Sequence, residues 1–98
     1  MEKTRLMRFA APVLYEKMAE VFSFYHIHPF DFHGTLQEVE DGFEITIMFS
    51  TNFSQSVTTL VTFEQARNPD EQVIRFFKQT AEQCKTQLIA DYYKMIKL

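Results

Sequence analysis

His26, His28, Asp31 and His33 fall within eight residues and form the densest set of potential metal ligands in the chain. Imidazole nitrogens and a carboxylate are the donors that zinc and similar ions take. If the stretch is extended, His26 and His28 point the same way, and Asp31 and His33 share the open face of the first expected strand. Pro29 separates the two pairs, and no outlying ligand completes a closed tetrahedral site. The pattern reads as a solvated loop flanked by aromatics, with no metal and no cofactor. Cys84 falls on the apolar stripe of the last helix, where a thiol is an inert core group. Its being the one cysteine excludes an internal disulfide and predicts a reducing, cytoplasmic setting.

Other catalytic chemistry finds little support. The carboxylates Glu38, Glu40, Asp41 and Glu44 cluster at an expected hairpin tip, which is wet, whereas an acid–base pair needs partial burial to move its pKa. The serines and threonines of residues 54–62 have no base beside them. Only two glycines occur, Gly34 and Gly42, too few and too far apart for a phosphate-cradling loop or a dinucleotide fingerprint. Cys-x-x-Cys, His-Glu-x-x-His and Gly-x-Ser-x-Gly are absent. The sequence predicts a protein that is not an enzyme.

The elements that position these groups follow from period. With 98 residues, 46% of them apolar, the chain predicts a single domain over 1–98. Residues 1–11 match neither the helical nor the strand period and read as an arm. Pro12 opens a helix over 12–27, with Leu14, Met18, Val21, Phe22 and Tyr25 on one face, ended by His28-Pro29. Residues 30–64 read as a three-stranded antiparallel meander. Its first turn is Asp41-Gly42, where positive φ is wanted, so that Leu36 faces Ile47. Phe32, Leu36, Ile45, Ile47 and Phe49 then line one face. Asn68-Pro69-Asp70 caps a long helix over 69–97, whose stripe is Val73, Ile74, Phe77, Ala81, Cys84, Leu88, Tyr92 and Met95. The expected fold is α+β, ordered α-β-β-β-α, with both helices on one face of the sheet.

Charge is unevenly spread. Residues 18–66 carry seven acids and no lysine or arginine, within a net charge of −3. Such a sheet cannot neutralise phosphates, so a nucleic-acid partner would have to use Arg67, Arg75, Lys78, Lys85, Lys94 and Lys97 on the last helix and its approach. The element order is shared with double-stranded-RNA-binding domains and with small dimeric nucleoid-associated proteins of bacteria. Asp70-Glu71-Gln72 stands where the first family carries bases, and no motif of the second can be placed on this chain. No family is assigned on this basis.

The aromatic content carries the functional expectation. Eleven Phe and four Tyr exceed what a two-layer domain of this size can bury, at about 150–250 Å² per ring. Phe24 and Phe76 fall off the helical stripes, and Tyr92, Tyr93 and Ile96 lie where a helix of 69–97 outruns a strand. These five residues are the expected binding surface of a small non-catalytic protein that associates with another protein, as a homodimer or an adaptor. A regulatory domain binding a small ligand or metal is the alternative, and a nucleic-acid-associated protein the second. No apolar run approaches the length of a membrane span.

Overall fold

The computed structural model describes residues 4–50 and 53–96, with side-chain surroundings given through Tyr93. Strands β1 (Arg5–Leu6), β2 (Phe32–Val39), β3 (Gly42–Phe49) and β4 (Gln55–Thr62) form one antiparallel sheet in chain order. Helices α1 (Met7–Ala10), α2 (Pro12–Phe24), α3 (Phe63–Arg67) and α4 (Glu71–Ile96) complete the α+β fold, with a 3-10 turn at Pro29–Asp31. The sheet therefore has four strands, not the expected three. Residues 5–11 are not an arm: Arg5 and Leu6 pair with Leu36 and Thr35, and Met7 is fully buried. A two-residue strand running straight into one helical turn is too short to show either period.

The hairpin between β2 and β3 corrects both the turn and the register. Val39 pairs with Gly42, so the loop is Glu40-Asp41, and Leu36 faces Ile45 instead of Ile47. Moving a register by two residues keeps every side chain on its face. Phe32, Leu36, Ile45, Ile47 and Phe49 accordingly all enter the core. Gly42 does not have positive φ. It is glycine because a Cβ there would sit 2.0 Å from the Val61 carbonyl oxygen.

Helix ends also differ from the spacing-based reading, for local reasons. α2 stops at Phe24, because His26 adopts φ 60° and the N–H groups of His26 and Ile27 donate back to the Ser23 and Phe22 carbonyls. That is a Schellman closure, here with histidine in the left-handed position and buried Ile27 packing behind it. Thr62 and Gln65 form a reciprocal capping box that starts α3, turning residues 63–67 from strand into helix. The Asn68 side chain donates to Glu64, so Asp70 takes over as the cap of α4, accepting from the Val73 N–H at 3.0 Å.

The helices cover one sheet face. Met7, Leu14, Met18, Phe22, Val73, Phe77, Ala81 and Cys84 meet Phe32, Leu36, Ile45, Ile47, Phe49 and Val61 in one continuous core. The Phe22 and Phe32 rings tilt against each other at 4.6 Å. With 26 residues, α4 is about 39 Å long, against about 27 Å for an eight-residue strand. Ser50, just past the end of β3, donates to the Asp91 carboxylate at 2.8 Å. The sheet ends at that level, and α4 runs on beyond it.

Candidate protein-binding surface

α2 and α4 lie side by side, and their faces turned away from the sheet carry apolar residues between charged ones. On α2 the apolar ones are Val21 as floor and Phe24 as wall. On α4, Ile74, Lys78, Glu82, Lys85, Ile89 and Tyr92 recur at three- and four-residue spacing, one stripe of a helix. Between the helices runs a groove of about 440 Å³ lined by Lys17, Glu20, Val21, Phe24, Tyr25, Ile74 and Lys78. A second of about 360 Å³ continues it, lined by Tyr25, His26, Ile27, Lys85, Leu88, Ile89, Tyr92 and Tyr93. Tyr25 borders both grooves, and the two together are called the track.

The track is held by the closure of α2. Lys85 donates to the Tyr25 carbonyl at 2.9 Å, satisfying a helix-end acceptor that has no intrahelical partner. The Tyr25 hydroxyl donates to Glu82 at 3.3 Å. Partial desolvation, and then the Glu82 charge, hold its phenol above the usual range. Lys17 is tied to Glu20 at 2.8 Å. Lys78 is left as an exposed positive charge on the rim, with no ion pair among the described residues.

Three of the five expected binding residues come together here. Phe24 is 77% exposed, Tyr92 60% and Tyr93 61%, and the two tyrosine rings meet edge-on at 5.8 Å. Phe76 is not with them; it is half-buried on the opposite flank of α4, beside β4. The side chain of Ile96 lies outside the described residues. Ile89 joins the surface and was not expected there, although its spacing from Lys85 and Tyr92 places it on the same stripe. Of the 15 aromatic residues, Phe9, Phe24, Phe30, Phe53, Tyr92 and Tyr93 are exposed.

The other candidates scatter. His26 sits in the helix layer at the end of α2, His33 lies on the open sheet face with its ring 5.8 Å from Phe53, and the Asp31 carboxylate accepts the His28 N–H. No three metal-ligating side chains converge among the described residues. Of the basic residues, Arg67 pairs with Glu64 and Arg75 with Glu71; the side chains of Lys94 and Lys97 lie outside the described residues. No described helix is long and apolar enough to cross a membrane.

Cys84 is fully buried on the inner face of α4, and burial, with a smaller contribution from Asp31, pushes its thiol up to about 11. Folded protein at pH 8 is therefore expected to resist a thiol reagent such as DTNB, and to react stoichiometrically once denatured. Because the folded pKa lies above the unfolded one, this thiol costs no stability below about pH 8.5, the ordinary thiol value. Stability falls as pH rises from there toward 11, where the unfolded chain loses the proton first. Rapid labelling of the native protein at pH 8 would refute this placement.

No family model matches the chain, and neither does any curated protein or solved structure.

Proposed function

We propose that the protein acts without catalysis, as an association module that holds an amphipathic helix of another protein in the track between α2 and α4. The observation that carries this is adjacency: Phe24, Tyr25, Ile89, Tyr92 and Tyr93 border two grooves between the same pair of helices, with Tyr25 shared by both. Exposed aromatics gathered in this way are the signature of protein contact surfaces. A helix laid between two helices presents its side chains at the same three- and four-residue spacing as the stripe it meets. Lys78 on the rim, with Lys17 and Lys85 already engaged, favours a partner helix that carries an acid beside its apolar stripe.

Thiol chemistry is disfavoured by the burial of Cys84, and the hairpin carboxylates Glu38, Glu40, Asp41 and Glu44 are all exposed to water. The test is co-purification from the native cell, comparing the wild type with the double variant Phe24→Ser/Tyr92→Ser. Both side chains are exposed, so thermal stability should be nearly unchanged. Loss of the associated protein by about tenfold or more is expected, since contact energy concentrates in a few aromatic anchors. Retention of the same partner by the double variant would contradict the reading.

A further inference from the structure

The two edges of the sheet are treated differently. A free edge presents unpaired N–H and C=O groups, and proteins blunt such edges by shortness, charge, proline or cover. At one end, β1 is two residues long and turns at once into α1, with Arg5 reaching toward Glu38 at 4.0 Å. At the other, β4 is a full eight residues, Gln-Ser-Val-Thr-Thr-Leu-Val-Thr, with no charge and no proline. Leu60 stands 66% exposed on its open face. On the core side, a groove of about 200 Å³ runs beside β4 toward α4, lined by Thr59, Val61, Val73 and Phe76 and by polar groups that include Gln79 and Arg75, the last paired with Glu71 at 3.9 Å. This is where Phe76, the aromatic missing from the helix track, is placed.

We propose that β4 pairs antiparallel with β4 of a second copy, about a two-fold axis normal to the sheet, joining two four-stranded sheets into one of eight strands. Such an axis keeps each face on its own side, so core-side residues meet core-side residues and open-face residues meet open-face residues. The sequence of β4 suits this operation. With Thr59 on the axis, Val57 faces Val61 of the second copy on the core side. Thr58 then faces Leu60, and Ser56 faces Thr62, on the open side. Pairs of β-branched and aliphatic residues stabilise a strand pairing, and like charges directly opposite oppose it. Near a two-fold axis a charged side chain approaches its own copy. That problem does not arise in residues 55–62, although Glu38, Glu40, Asp41 and Glu44 would create it at the hairpin. The pairing also brings Val57 of each copy next to Val61, at the groove lined by Val73 and Phe76. It leaves the track between α2 and α4 open on both copies, so it stands or falls independently of the function proposed above.

The experiment is cross-linking of the full-length chain carrying Thr59→Cys, with oxidised glutathione taking up the two electrons released as two thiols become a disulfide. Thr59 of the two copies lies opposite on the axis, within the separation a disulfide spans. Rapid conversion to a covalent dimer is expected, while buried Cys84 stays reduced. Phe24→Cys, on the helix track, is expected to cross-link far more slowly. Adding Leu60→Lys to Thr59→Cys sets a lysine near the axis in each copy and should slow the disulfide by about tenfold or more. Its fold is checked by far-ultraviolet circular dichroism; if it does not fold, the two single-cysteine variants decide. Absence of a Thr59→Cys dimer, or a faster one through Phe24→Cys, would overturn the proposal. So would capture of a foreign extended segment on β4 in place of the second copy.

Discussion

Gly42→Ala is expected to destabilise the protein by about 3 kcal/mol or more, one of the larger effects a single methyl can have. The added Cβ would lie 2.0 Å from the Val61 carbonyl oxygen, 2.8 Å from the Thr62 Cα and 2.9 Å from the Val61 carbonyl carbon. All three are backbone atoms of Val61 and Thr62, the last two residues of β4 before α3 begins, and they cannot move without breaking the β3–β4 pairing. For a domain of this size the loss corresponds to a melting point lower by roughly 12–24 °C. Two comparisons isolate the cause. Gly42→Asn should fail as badly, whereas a turn glycine wanted only for positive φ would accept asparagine. Gly34→Ala should cost about 1 kcal/mol or less, because its Cβ would meet the flexible ends of Met18 and Met7 at 3.1 and 3.3 Å. Calorimetry of the three variants checks the set; a Gly42→Ala protein melting within a few degrees of wild type would contradict the packing described for β3 and β4.

The second large effect separates core aromatics from surface ones. Phe77 is fully buried where α4 meets the sheet, and truncation to alanine removes its transfer energy and leaves a cavity. Phe77→Ala is expected to cost about 3–5 kcal/mol, a large part of the roughly 5–15 kcal/mol that holds a small domain together. Phe24→Ala, at 77% exposure, should shift stability by about 0.5 kcal/mol or less. Urea unfolding should show a much lower midpoint for the first variant with unchanged slope, and no change for the second. Equal losses at the two positions would mean that Phe24 is packed, and the helix track would lose its wall.

Legibility in the sequence followed the length of each element. Val73, Phe77, Ala81 and Cys84 on α4 and the face assignments of β2 and β3 were readable because long periodic runs must segregate apolar from polar residues, whereas Ile74 and Tyr92, read on the same α4 stripe, border the outward grooves. The hairpin was located, but its turn was placed one residue late: Asp41-Gly42 is the usual turn signal, and here the glycine answers to β4 rather than to the turn. β1 and α1 were invisible because neither completes a period. α3 carried a readable sign in Thr62-x-x-Gln65, which was masked by the β-branched run before it. For the surface, the aromatic count implied exposure but could not sort it. Phe24 and Phe76 look alike along the chain, and only the neighbouring elements send one to the helix track and the other to the β4 groove. Ile89 was hidden because it falls off the stripe drawn through Cys84 and Leu88, and only the packing of α2 beside α4 shows that its face borders a groove.

Whether the α2–α4 face holds a partner is decided by photo-cross-linking in the native cell, with a light-activated amino acid replacing Phe24 in one strain and Glu40, at the tip of the β2–β3 hairpin, in another. A discrete heavier adduct is expected from position 24, formed with another protein through a helical segment of it, and none from position 40. Equal adducts from both positions, or none from position 24, would contradict the proposed function.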